Sequence, residues 1–563
     1  MKDGLPQIDR RPPEQVMRLS RLGSLHQCRL SFMRVLTRRM AAADWRFDRP
    51  VFDIDARGVG HAVYTATGPD RTYSLVAFAH DLPAEKRSDR VIAEAWDATF
   101  ALFDGVPQAG DIARLSANVP LQEAGRVSER ELTLSRANRS VRLWDHVVGA
   151  LSQGCQPDSA EIDAVGYLMR TTAVYGSGKF GAADRAALAD RPELQAPFQA
   201  EMLSVYLIRT FVRDLANHMA RAQGGAAAVT LAPDLALRLG IGNSTGLGMA
   251  PFIVNHPVLF NNWIMAREEA IARIRALQTA TPEAVSLFRD LLARNASMVM
   301  TWQSDHPVQQ AKLAALHDDL DRLTGHAQPA VFDQAQPWDA LIRWSEGALS
   351  EEGQELLASL ILEPFPDLVD GLSDCMADVA EAGLAVDGAT KVAEMRALIQ
   401  NCFGWALDLD WSARDQQARA WYVSAEKLEP RLGERFDEPI ADYEQPLAPA
   451  RDAARAFADL AGWKADAPVA DFLLVHPEHR RAVLRAQITG FAPYAEIRDN
   501  TIAADLMPID MLRAKLSFFG ATRFDPRSDR WVRICMYAGA PYPEDLASDN
   551  ADLWVYPEAC ECA

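Results

Sequence analysis

The amino-acid sequence predicts a mainly α-helical, multi-domain protein with a small N-terminal β-meander and a small α+β C-terminal block. The first observation behind this prediction is length, since 563 residues exceed what one hydrophobic core usually organises. The second is periodicity: residues 198–222, 257–278 and 283–300 read as helices. The third is that runs rich in β-branched and aromatic residues are short and cluster in residues 45–82.

The strand and helix predictions before residue 160 follow local signals. Strands are expected at residues 51–54, 61–64 and 73–78, because glycines and a Gly-Pro-Asp turn separate them. A helix is expected from Ser88 to Phe103. Another helix is expected from Ser128 toward Leu151, because Ser128 and Glu131 have the spacing of a capping box.

Three domains are predicted from changes in composition along the chain. Residues 1–325 form a helical domain that contains an N-terminal arm, the β-meander and two glycine-rich segments. Periodicity is lost at residues 326–337, and a helical block follows at 338–433. After a proline-containing, acidic stretch, residues 451–563 form the α+β block, with strand-like sequence near its end.

Charge and composition exclude several classes of protein. The formal net charge of -19 repels a phosphate backbone, so no nucleic-acid partner is expected. No run of apolar residues is long enough to span a bilayer, and no secretory signal is recognisable, so a cytoplasmic protein without integral membrane contact is predicted. The 7 cysteines are odd in number and irregularly spaced, which favours reduced thiols over a disulfide framework.

The N-terminal region is the basic exception in an acidic chain. Residues 14–40 read as one amphipathic helix, with a leucine and methionine stripe and several arginines on the remaining surface. Two interpretations stay open at this point. The helix either packs on the body of the protein with its arginines in solvent, or it is an arm that binds a membrane surface or a partner.

The first glycine-rich segment, residues 175–181, follows Arg170 and predicts an anion-binding loop. Successive backbone N–H groups in such a turn can surround an anion, and Ser177, Gly178 and Lys179 add a hydroxyl, an open backbone and a positive charge. The segment is not a Walker A loop, because Phe180 follows the lysine where Ser or Thr is required. The alternative is a helix end followed by a loop without a ligand.

The second glycine-rich segment, residues 240–248, surrounds good helix-capping residues. These residues, expected to contact a substrate, are Asn243, Ser244, Thr245 and Gly246. The glycine spacing is one residue too long for a dinucleotide fingerprint, and no βαβ unit is predicted around it. Close packing of helices is the alternative reading. His256 follows shortly, and its imidazole suits proton transfer near neutral pH.

Arginine and cysteine residues elsewhere in the chain suggest two further candidate sites, one for an anion and one for a metal. Arg136 and Arg139 are expected on one face of the helix that begins near Ser128, either in solvent or clamping an anion. No metal site is predicted, because the chain lacks His-x-x-x-His and Cys-x-x-Cys spacing, and Cys560 with Cys562 supplies only two thiols.

The sequence therefore predicts an enzyme that holds a small anionic metabolite, a carboxylate or a phosphate, between two glycine-rich loops. Lys179, His256 and Tyr175 are the expected catalytic residues, and a lyase is favoured over a transferase because no cofactor motif is visible. The cofactor itself is unknown from sequence. One alternative is a non-catalytic assembly protein, a homo-oligomer that docks through its basic N-terminal helix. Another is a flavin or haem oxidoreductase without a local motif, which an absorbance spectrum would reveal.

Overall fold

Contacts in the computed structural model divide the chain into two compact units, each built from distant parts of the sequence. The helical unit contains Met1–Leu30, Thr245–Ser517 and Pro526–Trp531, and the sheet unit contains Ser31–Ser244, Phe518–Asp525 and Val532–Ala563. The structure describes residues 9–86, 95–121, 125–171, 188, 190–243, 257–376, 384–413, 421–424, 430–432, 440–442, 448–498, 510–526, 532–547 and 551–558.

The sheet unit is built on one large mixed sheet. Its strands within the described residues are β1 (Arg46–Ile54), β2 (Gly60–Thr67), β3 (Thr72–Ala79), β4 (Ala98–Asp104), β5 (Glu131–Arg139), β6 (Tyr167–Thr171), β7 (Gly240–Gly242), β11 (Arg523–Pro526) and β12 (Val532–Met536). Their spatial order is β1-β2-β3-β4-β5-β6-β7-β12-β11. Strands β1 to β6 pair antiparallel in sequence order. Strand β7 then pairs parallel with β6 and antiparallel with β12.

Helices cover both faces of this sheet. The helices of the sheet unit are α3 (Phe32–Ala42), α4 (Ala109–Asn118), α5 (Trp144–Ser152), α6 (Ser159–Val165), α7 (Gln199–Gly224) and α8 (Pro233–Arg238). Helix α7 packs across β2 to β7, and its Phe211 ring lies edge-on to Phe100 of β4. On the other face, Leu115 of α4 joins a core with Phe78 and Phe103. Successive strand residues therefore enter different cores, as a two-residue period requires.

The predicted fold class is wrong in its main point, because the sheet is neither small nor confined to a meander. The protein is 55% helical, yet a curled mixed sheet spans much of the N-terminal region. Strands covered on both faces lose the polar alternation that marks a strand in sequence, so β4 was read as a helix. The Ser128–Glu131 pair was also misread: Glu131 is the first residue of β5, whose Leu132 and Leu134 alternate with Thr133 and Ser135.

The helical unit confirms the strongly periodic segments. Its helices in the described residues are α1 (Pro13–Val16), α2 (Leu19–Leu22), α9 (Pro257–Arg275), α10 (Pro282–Val299), α11 (Pro307–His326), α12 (Pro337–Ala348), α13 (Glu351–Leu360), α14 (Pro366–Val369), α15 (Val392–Leu407), α16 (Ala448–Leu460), α17 (Val469–Val475), α18 (Arg480–Phe491) and most of α19 (Asp510–Phe519). Strands β8 (Trp421–Ser424), β9 (Pro430–Leu432) and β10 (Ile440–Asp442) form a second, three-stranded sheet.

Capping residues explain where several of these helices begin. The Thr281 hydroxyl accepts from the N–H of Ala284 at the start of α10, and Ser350 accepts from Gly353 at the start of α13. Proline occupies the first helical position of α9 and α10, where its missing N–H costs nothing. No helix in the described part of the chain is both long and apolar enough to cross a membrane.

Several of the N-terminal arginines are buried rather than solvated, although the side chain of Arg18 is 46% exposed. Residues 14–40 form three separate helices instead of one, and Arg11 and Arg21 are buried within the helical unit. The guanidinium of Arg11 donates to Glu268 at 2.7 and 2.8 Å and to Glu355 at 2.8 Å. Arg21 donates to Glu355 at 3.0 Å, and so does Arg267. We call Arg11, Arg21, Arg267, Glu268 and Glu355 the buried ion network.

Candidate functional site

Strands β6 and β7 end side by side, and along the sequence they lead into the two glycine-rich segments. The strands run parallel as neighbours, with Arg170 opposite Gly242. Beyond this pair, the Asn243 side-chain Nδ2 donates to the carbonyl oxygen of Thr171 at 3.3 Å. Because the carboxyl ends of parallel strands share one edge of a sheet, both segments leave from the same edge. Ligands commonly bind at such an edge in sheets with parallel strands.

Most of the predicted site residues lie outside the described residues. They are Tyr175, Ser177, Gly178, Lys179, Ser244, Thr245, Gly246 and His256. The structure places Arg170 and Asn243, and both are buried. Their roles as ligand contacts stay predictions, as do those of the residues that follow them.

Asn243 joins the ends of three strands. Besides its side-chain bond to β6, its backbone N–H donates to the carbonyl oxygen of Ile534 in β12 at 2.9 Å. The side chain is fully buried. Because it holds neighbouring backbones in register, Asn243 fixes the direction in which the second glycine-rich segment leaves the sheet.

Gly240 and Gly242 are required by close packing within the sheet. A Cβ atom on Gly240 would lie 2.4 Å from the carbonyl oxygen of Met536. A Cβ atom on Gly242 would lie 2.5 Å from Cγ of Arg170 and 2.9 Å from the Tyr167 ring. Backbone and side-chain atoms thus occupy the space that a larger residue would need. The first two glycines of the second segment position Arg170 rather than forming the mobile part of a loop.

Arg136 and Asn138 lie beside Arg170 on the same face of the sheet. Asn138 is directly opposite Arg170 in the β5–β6 pairing, and Arg136 is two residues before Asn138. Arg136 and Arg170 are therefore diagonal neighbours, a separation of roughly 7–8 Å that long side chains bridge. The Thr171 hydroxyl also donates to the Arg136 carbonyl oxygen at 3.2 Å. Two guanidinium groups are consequently placed on one face, at the edge where both glycine-rich segments begin.

Trp96 adds a donor group to the same face. The Arg136 guanidinium lies over the Trp96 ring, 4.2 Å from its centroid. The indole Nε1–H of Trp96 is buried, and no acceptor reaches it from the residues whose positions are known. An indole N–H only donates, so an anion at this face would satisfy it.

Burial affects the electrostatics of Arg136. Burial lowers the pKa of Arg136 below its usual value. Stacking on an aromatic ring engages the face of a guanidinium but leaves its positive charge in place. An anion bound at this face would lower the energetic cost of burying that charge.

Sequence reasoning noticed these arginines but grouped them incorrectly. On a helix, Arg136 would share a face with Arg139, three residues later. On strand β5, the two-residue period places Arg136 with Asn138 instead. Arg139 lies near Asp97, with Nε 3.6 Å from its carboxylate, and over the Trp144 ring. The alternation of β5 was the signal that would have found the Arg136–Asn138 pair.

Comparisons of the chain with protein-family models, with curated proteins and with solved structures find no match. The argument for function therefore depends on the geometry of this edge. Two arginines, an amide side chain and an indole N–H lie close to the ends of β6 and β7. These groups are suited to holding a carboxylate or a phosphate through charge-assisted hydrogen bonds.

Proposed function

We propose that the protein is an enzyme that binds a small anionic metabolite at the carboxyl ends of β6 and β7. The observation that carries this proposal is the parallel pairing of these strands, which end side by side next to Arg136 and Arg170 and precede the remaining residues of the two glycine-rich segments in the sequence. Backbone N–H groups of the segments and the two guanidinium groups would share the charge of a carboxylate or phosphate.

A lyase reaction is the chemistry we favour over group transfer. The arginines would hold the carboxylate or phosphate, and Lys179 would stabilise negative charge that develops during elimination. Tyr175 or His256 would remove a proton next to the anionic group and return one to the leaving group. These three roles are assigned from sequence, because the residues lie outside the described part of the chain.

The experiment that tests binding is a thermal-shift titration of the full-length protein with inorganic phosphate and with small mono- and dicarboxylates. We expect at least one anion to raise Tm, because a ligand that binds only the folded state stabilises it. We expect Arg136→Gln to weaken this effect, whereas Arg130→Gln is the matched control. Arg130 also stacks on a ring, Phe103 at 4.3 Å, but it is exposed.

The experiment that tests catalysis follows the stabilising anions, and compounds that contain them, by NMR. Wild-type protein should convert one of these compounds, and Lys179→Ala should abolish turnover or raise KM sharply. Turnover that is unchanged in Lys179→Ala for every compound the wild type converts would contradict the catalytic role. Binding without turnover of any compound would separate an anion-binding protein from an enzyme.

A further inference from the structure

Two histidines and an aspartate meet in the helical unit where α16, α17 and α18 come together. Asp459 lies in the last turn of α16. Helix α17 ends at Val475, and His476 is the residue that follows it. Residues Pro477–His479 form a short 3-10 helix before α18 begins. The core of this region joins α15, α16 and α18, with Phe472 of α17 buried in it. His476 and His479 are three residues apart, a spacing that differs from the His-x-x-x-His and Cys-x-x-Cys patterns on which the prediction of no metal site was based.

The three side chains are close enough to bind one ion. Nε2 of His479 lies 2.7 Å from Oδ2 of Asp459. The metal-binding atoms of Asp459, His476 and His479 all lie within 4.8 Å of one another. Zinc binds nitrogen and carboxylate oxygen at about 2.0–2.2 Å in tetrahedral geometry, so two ligand atoms of one ion lie roughly 3.3–3.6 Å apart. To bind one ion, the more exposed side chains of His476 and Asp459 would turn so that the ligand atoms approach one another by about 1 Å.

Phe472 holds the two imidazole rings in place. Its ring is stacked on His479, at 5.6 Å and 2° between planes, and lies 5.0 Å from the ring of His476. Glu478 brings a second carboxylate, whose Oε1 is 3.3 Å from Nδ1 of His476. The turn therefore presents oriented imidazoles with carboxylates on two sides, as metal-binding histidines commonly have.

The exposure of the three side chains suits an ion that enters from solvent. The side chain of His479 is 8% exposed, that of His476 is 29% exposed and that of Asp459 is 47% exposed. A simple ion pair between Asp459 and His479 needs no second histidine at the same point. The convergence of His476 on this pair is the observation that distinguishes a metal site from a surface salt bridge.

We propose that Asp459, His476 and His479 bind one Zn²⁺ ion, with the remaining coordination filled by water or by Glu478. Imidazole and carboxylate ligands suit zinc, and three protein ligands leave a position open. The ion would link the end of α16 to the junction of α17 and α18, three parts of one core. Zinc binding should therefore raise Tm of the full-length protein.

The test is zinc binding by the full-length protein after treatment with a chelator and removal of that chelator. Competition with a chromophoric zinc indicator should give one ion per chain at this site. We expect at least 10-fold weaker binding in Asp459→Asn, His476→Gln and His479→Gln. His317→Gln, a histidine of α11 in the same unit, is the matched control and should bind like wild type.

Cobalt substitution distinguishes this site from one built on cysteine. Co²⁺ bound by imidazole and carboxylate should show no thiolate charge-transfer band, and a Cys560→Ser/Cys562→Ser variant should bind as wild type does. Loss of the zinc site in that cysteine variant would overturn the proposal. Zinc affinity equal to that of wild type in His476→Gln would overturn the proposal as well. This variant is decisive even if His479→Gln fails to fold, because His476 is the more exposed of the two histidines.

Discussion

The two arginine clusters of this protein differ in what surrounds their positive charge. In the buried ion network of the helical unit, Arg11, Arg21 and Arg267 each donate to the carboxylate of Glu355. In the sheet unit, Arg136 lies over the Trp96 ring, and Arg170 lies 5.9 Å from the centroid of the Tyr167 ring. The contacts described for the first cluster are with carboxylates, whereas those described for the second are with aromatic rings, close to the ends of β6 and β7.

The pKa shifts follow the same division. Burial alone would lower the pKa of Arg11, but the carboxylates of Glu268 and Glu355 raise it above its ordinary value. For Arg136, burial lowers the pKa. A buried cation matched by carboxylates is a structural element whose disruption costs stability. A partly buried cation on an aromatic ring, at an edge where two loops begin, is suited to binding an anion.

The largest predicted effect is the loss of charge at the centre of the buried ion network. Glu355→Gln should lower the free energy of unfolding by about 3–5 kcal/mol, because it leaves buried guanidinium groups without their carboxylate. Chemical denaturation measures this change. Glu269→Gln on α9 is the control, since Glu269 is 37% exposed and pairs at 3.1 Å with Arg273, which is outside the buried ion network. Its effect should stay below about 1 kcal/mol, and equal effects would refute the distinction.

A smaller loss of stability is expected at the sheet edge. Gly242→Ala should cost about 1–3 kcal/mol, because its Cβ would lie 2.5 Å from Cγ of Arg170. The same substitution should weaken anion binding, since Arg170 has to move. Gly149→Ala is the control, because no atom lies within 4 Å of the added Cβ and the residue is within helix α5. That variant should be at least as stable as wild type.

The third prediction separates binding from folding. Arg136→Gln should weaken binding of the stabilising anion by roughly 10–100-fold, about 1.4–2.8 kcal/mol. The free energy of unfolding without ligand should change by less than about 1 kcal/mol, the worth of a modest cation–π contact. Isothermal titration and chemical denaturation measure the two quantities. A large loss of stability with unchanged affinity would make Arg136 a structural residue like Arg11.

The smallest predicted effect near neutral pH concerns His26, which lies close to residues of the buried ion network. Burial and, to a smaller extent, the nearby Arg513 lower the pKa of His26 to about 3. Unfolded His26 binds a proton below about pH 6.5, while folded His26 stays neutral until about pH 3. Its contribution to stability is therefore complete above pH 6.5 and is lost as pH falls toward 3.

The slope of stability against pH tests this assignment. One histidine contributes at most about 1.4 kcal/mol per pH unit between these two values. His26→Gln should be less sensitive to acid than wild type when denaturation is compared at pH 7, 6 and 5. His317→Gln should keep the wild-type slope. Parallel slopes for wild type and His26→Gln would show that His26 does not titrate in this way.

The sequence predicted the long helices and missed the sheet, for a physical reason. Residues 202–208 lack charge and lie inside α7. The helical periodicity of the longer segment 198–222 nevertheless identified that helix. Strand β4 contains Phe100, Ala101, Leu102 and Phe103, all buried because helices cover both faces of the sheet. Without polar residues on alternate positions, such a run does not distinguish a strand from a buried helix.

The candidate site was predicted in part. The glycine-rich segments were recognised from composition, and the structure adds that β6 and β7 start them side by side. The partnership of Arg136 with Arg170 depends on pairing between strands 30 or more residues apart, which a single sequence does not reveal. The sequence predicted N-terminal arginines either in solvent or on a binding arm, and missed the burial of Arg11 and Arg21 because their carboxylate partners, Glu268 and Glu355, are more than 240 residues away.

The most direct test of the central claim is native mass spectrometry of the full-length protein purified from cells under mild conditions. We predict that wild-type protein retains a small anionic molecule, and that Arg136→Gln retains much less of it. Equal retention by both proteins, or a retained molecule without an anionic group, would contradict binding at the β6–β7 edge. Binding at this edge would also be contradicted if the purified protein retains no small molecule and if neither phosphate nor any small carboxylate raises its Tm.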